Sequence, residues 1–181
     1  MRNPNHRHSH RRSIRLRGYD YRKGGVYFVT ICAYRKLKLF GSIIDGEMAL
    51  SPLGEIACEE WRHIARARSN VELDRYVVMP NHLHGLFIVT GGHEDNLGQG
   101  AKSRHVERRP RLPAGSLGAI ISQYKAAVSR RAWSGLICRS QRIWQRNYFD
   151  HILRDESSLN EIRKYIIENP ARWRDDSLYV M

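Results

Sequence analysis

Apolar and polar positions divide the chain into short runs with two different periods. Val26-Tyr27-Phe28-Val29-Thr30-Ile31-Cys32-Ala33-Tyr34 is dense in β-branched and aromatic residues, which predicts a first strand, with the folded part starting near Gly18. Phe40 to Ile44 and Glu47 to Leu50 flank Asp45-Gly46, the pattern of a hairpin on a two-residue turn. Ser51-Pro52 then reads as an N-cap followed by a proline in the first helical turn. Leu53, Ala57, Trp61 and Ile64 follow at helical spacing on one face. Val71 to Met79 and His82 to Val89 are two further sheet runs. Ser116 precedes a second apolar stripe at Leu117, Ile120, Ile121, Tyr124 and Val128, and Ile143 to Phe149 reads as extended or irregular. A last helix is predicted from Ser158, with Glu161 completing a capping box, and it stops before Pro170.

This order of elements predicts an α+β fold, an antiparallel sheet with helices packed on one face, akin to a ferredoxin-like core. A parallel doubly wound sheet is disfavoured, because only Pro80-Asn81 separates two strands and a parallel crossover needs a dozen residues or more. Residues 1–17 form a basic arm and 18–181 one domain. A basic, glycine-bearing segment at 91–114 reads as a surface loop inserted into that domain.

Charge narrows the choice of partners. In 181 residues, 31 lysines and arginines face 18 acids, a formal net charge of 31 − 18 = +13. Such an excess favours a polyanion, and nucleic acid fits better than a membrane, since no apolar run approaches the roughly 18 residues of a spanning helix. The arm lacks the apolar stretch of a secretory signal. The three cysteines form no Cys-x-x-Cys pair, which excludes a zinc ribbon and suits a reducing, cytoplasmic setting; a nucleic-acid partner would make that nucleoid-associated.

The segment Met79-Pro80-Asn81-His82-Leu83-His84 carries the candidate chemistry. Strand side chains alternate, so His82 and His84 share a face, with Leu86 and Ile88 continuing it and Leu83, Phe87 and Val89 opposite. Two imidazoles so placed suit one metal ion; a core histidine beside an exposed one is the alternative. On the last helix, Tyr165 and Asn169 are four residues apart, at the edge of the stripe of Leu159, Ile162 and Ile166. An amide oxygen suits a hard cation such as Mg²⁺ or Mn²⁺, and a phenol beside it is a candidate nucleophile, although a tyrosine there is also ordinary packing. Tyr124 falls on the second helix's stripe, and Tyr148 lies in an aromatic-basic stretch suited to packing or base stacking.

The His82-Leu83-His84 strand with a downstream Tyr165-x-x-x-Asn169 resembles the single-tyrosine HUH transposases, and more closely the REP-associated tyrosine transposases. The likeness includes Tyr27 to Thr30, Pro80-x-His82-x-His84, Trp144-Gln145 and Tyr165 to Pro170, and it covers about Gly18 to Trp173. Insertion-sequence relatives carry glutamine where this chain has Asn169, whose amide reaches one methylene less far.

The resemblance implies a ferredoxin-like HUH core and a metal-dependent single-stranded DNA endonuclease and strand transferase. In that reading His82, His84 and Asn169 hold Mg²⁺ or Mn²⁺, and Tyr165 attacks phosphorus to give a 5′-phosphotyrosine. Its target would be single-stranded or hairpin DNA, and it would work as a monomer or homodimer with the tyrosine acting in cis or in trans. Candidates for phosphate contacts are Arg11, Arg12, Arg15 and Arg17 in the arm, Arg108, Arg109 and Arg111 in the loop, and Arg130, Arg131, Arg142 and Arg146 beyond it. The rival readings are a domesticated, non-catalytic DNA-binding protein and a replication-initiator or relaxase-type nickase.

Overall fold

In a computed structural model, which describes residues 24–90 and 115–180, the elements run β1 (Gly25–Cys32), β2 (Gly41–Ile44), β3 (Glu47–Leu50), α1 (Pro52–Arg66), β4 (Val71–Met79), β5 (His82–Val89), α2 (Leu117–Trp133), β6 (Phe149–Leu153) and α3 (Glu156–Glu168). The main sheet has the order β4-β5-β1-β6, and every neighbouring pair is antiparallel. With the separate β2-β3 hairpin set aside, this is the β-α-β-β-α-β arrangement of a ferredoxin-like fold. The two apolar strands β1 and β5 form its middle, from Gly25 opposite Val89 to Cys32 opposite His82.

Local chemistry fixes the boundaries. The Ser51 hydroxyl accepts from Gly54 N at 3.1 Å and caps α1, and that of Ser116 accepts from Ala119 N at 3.3 Å to cap α2. Asp45 (φ 51°) and Gly46 (φ 81°) both take positive φ, as a tight hairpin turn requires.

Four expectations need correction. First, helices cover both faces of the sheet: α1 and α2 pack on one, where Trp61, Tyr124 and Val128 meet Tyr27, Val29, Ile31, Leu83 and Phe87. On the other, Ile166, Leu159 and Ile162 of α3 pack on Leu86, Leu153, Val26, Phe28 and Val77. Second, α3 starts earlier than Ser158, because Asp155 is its cap: Oδ1 accepts from Ser158 N at 2.8 Å and Oδ2 from Ser158 Oγ at 2.9 Å. A serine that reads as a cap is thus the residue being capped. Third, β6 extends beyond the irregular stretch to Leu153, paired to β1 from Thr30–Phe149 to Val26–Leu153. Fourth, the first strand ends at Cys32, with Tyr34–Lys36 in a 3-10 turn.

Gly85 shows why β5 can carry a histidine pair on one face and tight packing on the other. A Cβ there would lie 2.1 Å from Trp61 Cζ2. The indole of Trp61, fully buried, occupies the volume that a side chain would need. α3 is tied to the sheet edge by Arg163, whose Nε and second guanidinium nitrogen lie 2.8 and 2.6 Å from Asp74 Oδ2 on β4.

Candidate active site

Both histidines sit on the α3 face of β5, buried, with ring centroids 4.3 Å apart. Each is held from behind through Nδ1: His82 lies 2.8 Å from Asn81 Oδ1 and His84 2.9 Å from Thr30 Oγ1 on β1. The Nε2 atoms therefore face the space beneath α3. Phe28 stacks on His84 at 5.2 Å, fixing its ring plane.

Tyr165 comes to this pair from α3. Its hydroxyl is 3.1 Å from His84 Nε2 and 3.1 Å from Asp176 Oδ2, while the residue as a whole remains 39% exposed. An oxygen anchored inside on a ring open to solvent is what a nucleophile that meets a large substrate requires. Asn169, one helical turn on, is buried and donates from Nδ2 to Asp176 Oδ2 at 2.9 Å; its Oδ1 has no hydrogen-bond partner among the described residues.

Asp176 is the residue that the sequence reading missed. After Pro170 the chain turns through a 3-10 segment, Trp173–Asp175, whose buried Trp173 ring lies 5.9 Å from that of His82. Asp176 follows with its side chain inaccessible to solvent, Oδ1 accepting from Leu178 N at 2.6 Å. Oδ2 lies 3.9 Å from His82 Nε2 and 3.8 Å from His84 Nε2, so one ligand atom from each of the three residues falls within 4.8 Å of the others.

Two nitrogens and a carboxylate oxygen make a mixed donor set of the kind that could hold a divalent metal ion. Adjacent ligands of an octahedral ion sit ~3 Å apart, so the two imidazole–carboxylate separations would each close by somewhat under ~1 Å around one. His82 Nε2, buried and with no hydrogen-bond partner among the described residues, is the clearest sign of a binding position. Asn169 Oδ1 is a second unpaired acceptor close by. A cavity of 120 Å³ opens on the Asn169 and Asp176 side of the cluster, lined by Tyr165, Glu168, Asn169, Arg172, Asp175 and Asp176.

The electrostatics keep these donors available. Burial, reinforced by His84, pushes the His82 pKa down to about 3, and burial lowers that of His84 against the pull of Asp176. Both imidazoles are then neutral and offer lone pairs at physiological pH. Burial works against the charge of Asp176, but the His84 ring 3.8 Å away and hydrogen bonds from Asn169 Nδ2 and Leu178 N together outweigh it and hold its carboxyl well below the usual range. Tyr165 moves the other way, up to about 12, through burial and then the neighbouring Asp176 charge. Its phenol is protonated until an acceptor takes the proton.

Among the other sequence candidates, Tyr124 is core: its hydroxyl donates to Ala57 O at 3.0 Å. Tyr148 packs half-buried on the main core. Arg130, Arg142 and Arg146 are exposed, and the Arg142 guanidinium lies 5.6 Å from the centre of the Tyr34 ring. Arg131 is paired with Glu59 at 2.6 Å and Glu60 at 2.9 Å. Arg11, Arg12, Arg15 and Arg17 of the arm and Arg108, Arg109 and Arg111 of the loop lie outside the described residues. No helix among the described residues is long and apolar enough to cross a membrane.

No family model matches the chain. An uncharacterized protein of Haemophilus influenzae is 39% identical over 171 residues, 94% of this chain and 94% of its own length. This chain belongs to the same family. Among solved structures it is similar to a REP-associated tyrosine transposase bound to a REP hairpin, with a TM-score of 0.58 and 20% identity over 89% of this chain and 74% of the other. At that identity the likeness is one of fold. This chain thus has a ferredoxin-like scaffold that resembles the fold of that tyrosine transposase.

Proposed function

We propose that this protein is a metal-dependent endonuclease and strand transferase for single-stranded, hairpin-bearing DNA, with Tyr165 as nucleophile. The observation that carries the reading is the approach of the Tyr165 hydroxyl to 3.1 Å from His84 Nε2, across a sequence separation of 81 residues. The hydroxyl of core Tyr124 meets only a backbone carbonyl, whereas that of Tyr165 meets two side chains of the His82, His84 and Asp176 cluster. The transposase fold, the +13 charge and the hairpin named for the similar structure support the choice of DNA as substrate.

His82, His84 and Asp176 would hold Mg²⁺ or Mn²⁺, with Asn169 Oδ1 as a further ligand. Such a cation, when bound, neutralises charge on the scissile phosphate and makes its phosphorus a better electrophile. The chain supplies the rest. The Tyr165 oxygen bonds to phosphorus at the 5′ side of the break, the bond from phosphorus to the 3′ oxygen opens, and a free 3′-OH leaves. The phenolic proton passes to water at the solvent-open side of Tyr165, because His84 Nε2 and Asp176 Oδ2 would be engaged with the cation, and the leaving 3′ oxygen takes up a proton from water in turn. In the reverse step a 3′-OH attacks the phosphotyrosine and restores the phenol. One phosphodiester replaces another, so no nucleotide triphosphate is consumed.

Tyr165 reaches His84 within its own chain, which is the geometry that cleavage in cis requires. Exposed Arg130, Arg142 and Arg146, with the arm and loop arginines, are proposed to contact the DNA backbone, and with them goes nucleoid association. The test is to incubate the protein with labelled hairpin-bearing single strands and Mn²⁺ or Mg²⁺ and look for a denaturation-resistant protein–DNA species. Wild type is expected to form it and Tyr165→Phe to lose it while still binding DNA; adduct in the Tyr165→Phe variant refutes the assignment.

A further inference from the structure

Asn81 occupies the two-residue turn between β4 and β5 and is wholly buried. Its carboxamide has two unlike ends, and both are engaged. Nδ2 donates to Leu178 O at 2.8 Å and faces Lys36 O at 3.3 Å, while Oδ1 lies 2.8 Å from His82 Nδ1. Its backbone carbonyl accepts from Ala33 N at 2.8 Å, anchoring the turn to the end of β1.

The partners determine which way round everything must be. Leu178 O and Lys36 O are carbonyls and only accept, so the nitrogen end of the amide must face them. The oxygen end must then face His82, and an amide oxygen only accepts. His82 Nδ1 therefore carries a proton, and in the neutral ring Nε2 carries the lone pair. That Nε2 is the buried, unpartnered atom near Asp176. His84 has no such constraint, because the Thr30 hydroxyl beside its Nδ1 both donates and accepts.

The same amide also seats the other side of the site. Leu178 gives its N–H to Asp176 Oδ1 at 2.6 Å and its carbonyl to Asn81 at 2.8 Å. The turn that presents Asp176 is thus fastened to the residue that orients His82.

We infer that Asn81 is a positioning residue that sets the tautomer of His82 and docks the Asp176 turn, so that cation affinity depends on a side chain whose own polar atoms are all directed elsewhere. The inference rests on the cation-site reading above. Residues that orient ligands from behind typically change metal affinity about 10–100-fold when removed.

The experiment uses the full chain, Mn²⁺ alone as probe, and two variants. Asn81→Leu removes both ends of the amide. Asn81→Asp keeps an acceptor for His82 but turns an oxygen toward Lys36 O and Leu178 O. Free Mn²⁺ measured by paramagnetic resonance gives affinity, ¹⁵N spectra of the metal-free protein give the His82 tautomer, and amide hydrogen exchange reports the turn at Leu178–Val180. Asn81→Leu is expected to mix the tautomers and weaken Mn²⁺ binding about 10–100-fold. Asn81→Asp should keep the Nδ1–H tautomer yet speed exchange at Leu178–Val180. Unchanged tautomer and affinity in Asn81→Leu overturn the inference; if that variant does not fold, unchanged exchange in Asn81→Asp does so. If wild type makes no phosphotyrosine adduct but the variants shift as expected, strand transfer is refuted and the role of Asn81 stands. If wild type makes the adduct and the variants match it in all three readouts, only the inference is lost.

Discussion

Replacing His82 by Gln and following stability against pH tests the electrostatics of the site without any substrate. The His82 side chain is fully inaccessible and its pKa is pushed down to about 3, against 6.5 for the ordinary group. Between about pH 7.5 and pH 5 the unfolded chain takes up a proton at this ring and the folded chain takes up almost none. Stability rises with pH wherever the unfolded state binds more protons, so it is present above the ordinary value and lost as pH falls. Integrated over that window, one ring of this kind contributes a loss of about 2 kcal/mol. The window avoids the carboxylates, whose titration begins lower. Urea denaturation in EDTA at several pH values measures the slope for wild type and His82→Gln. The variant starts less stable but declines with acid by about 2 kcal/mol less, and His84 and the surface histidines largely cancel in the comparison. Parallel curves for the two proteins would mean that His82 protonates in the folded state as freely as in the unfolded one, and the account of a buried neutral ligand would fail.

Removing the charge of Asp176 by Asp176→Asn should weaken Mn²⁺ binding. It should also let the Tyr165 pKa fall from about 12 toward, but not below, its ordinary 10, because burial remains; ¹³C-labelled tyrosine titrated by NMR, with Tyr165→Phe for assignment, reads the shift. Gly85→Ala places a methyl 2.1 Å from the buried Trp61 ring and should cost at least about 1–3 kcal/mol, seen as a lower Tm; an unchanged Tm would show that the indole moves aside freely. If about six phosphates are contacted, the affinity for single strands falls with salt at a log–log slope near −4, and a salt-independent Kd contradicts that. Arg142→Ala should reduce the slope by roughly 0.7, whereas Arg131→Ala should change it less, because Glu59 and Glu60 already hold that guanidinium.

What the sequence discloses about this protein follows from how local each signal is. The runs Val26–Cys32, Val71–Met79 and His82–Val89 declare themselves as strands by composition, and the two-residue Pro80-Asn81 link forces antiparallel pairing. The His82 and His84 side chains share a face because strand alternation is a covalent necessity. Tyr165 and Asn169 are paired by helical periodicity alone. The packing of α3 on the opposite face was hidden, because an apolar stripe does not say which side of a sheet it meets. β6 was missed beyond Phe149 because Asp150 and His151 interrupt its apolar character. Asp176 had no periodic or motif signal; it is one of two adjacent acids, Asp175 and Asp176, between Trp173 and the apolar Leu178-Tyr179-Val180. The burial that gives it meaning arises only once that segment folds back on β5.

The cluster joins two kinds of scaffold with unequal lifetimes. His82 and His84 belong to a central strand bonded on both sides, whereas Asp176 rides on a short 3-10 turn and its few hydrogen bonds. Gradual heating should therefore undo the geometry of the three-residue cluster while the sheet is still intact, making the cluster more fragile than the fold that houses it.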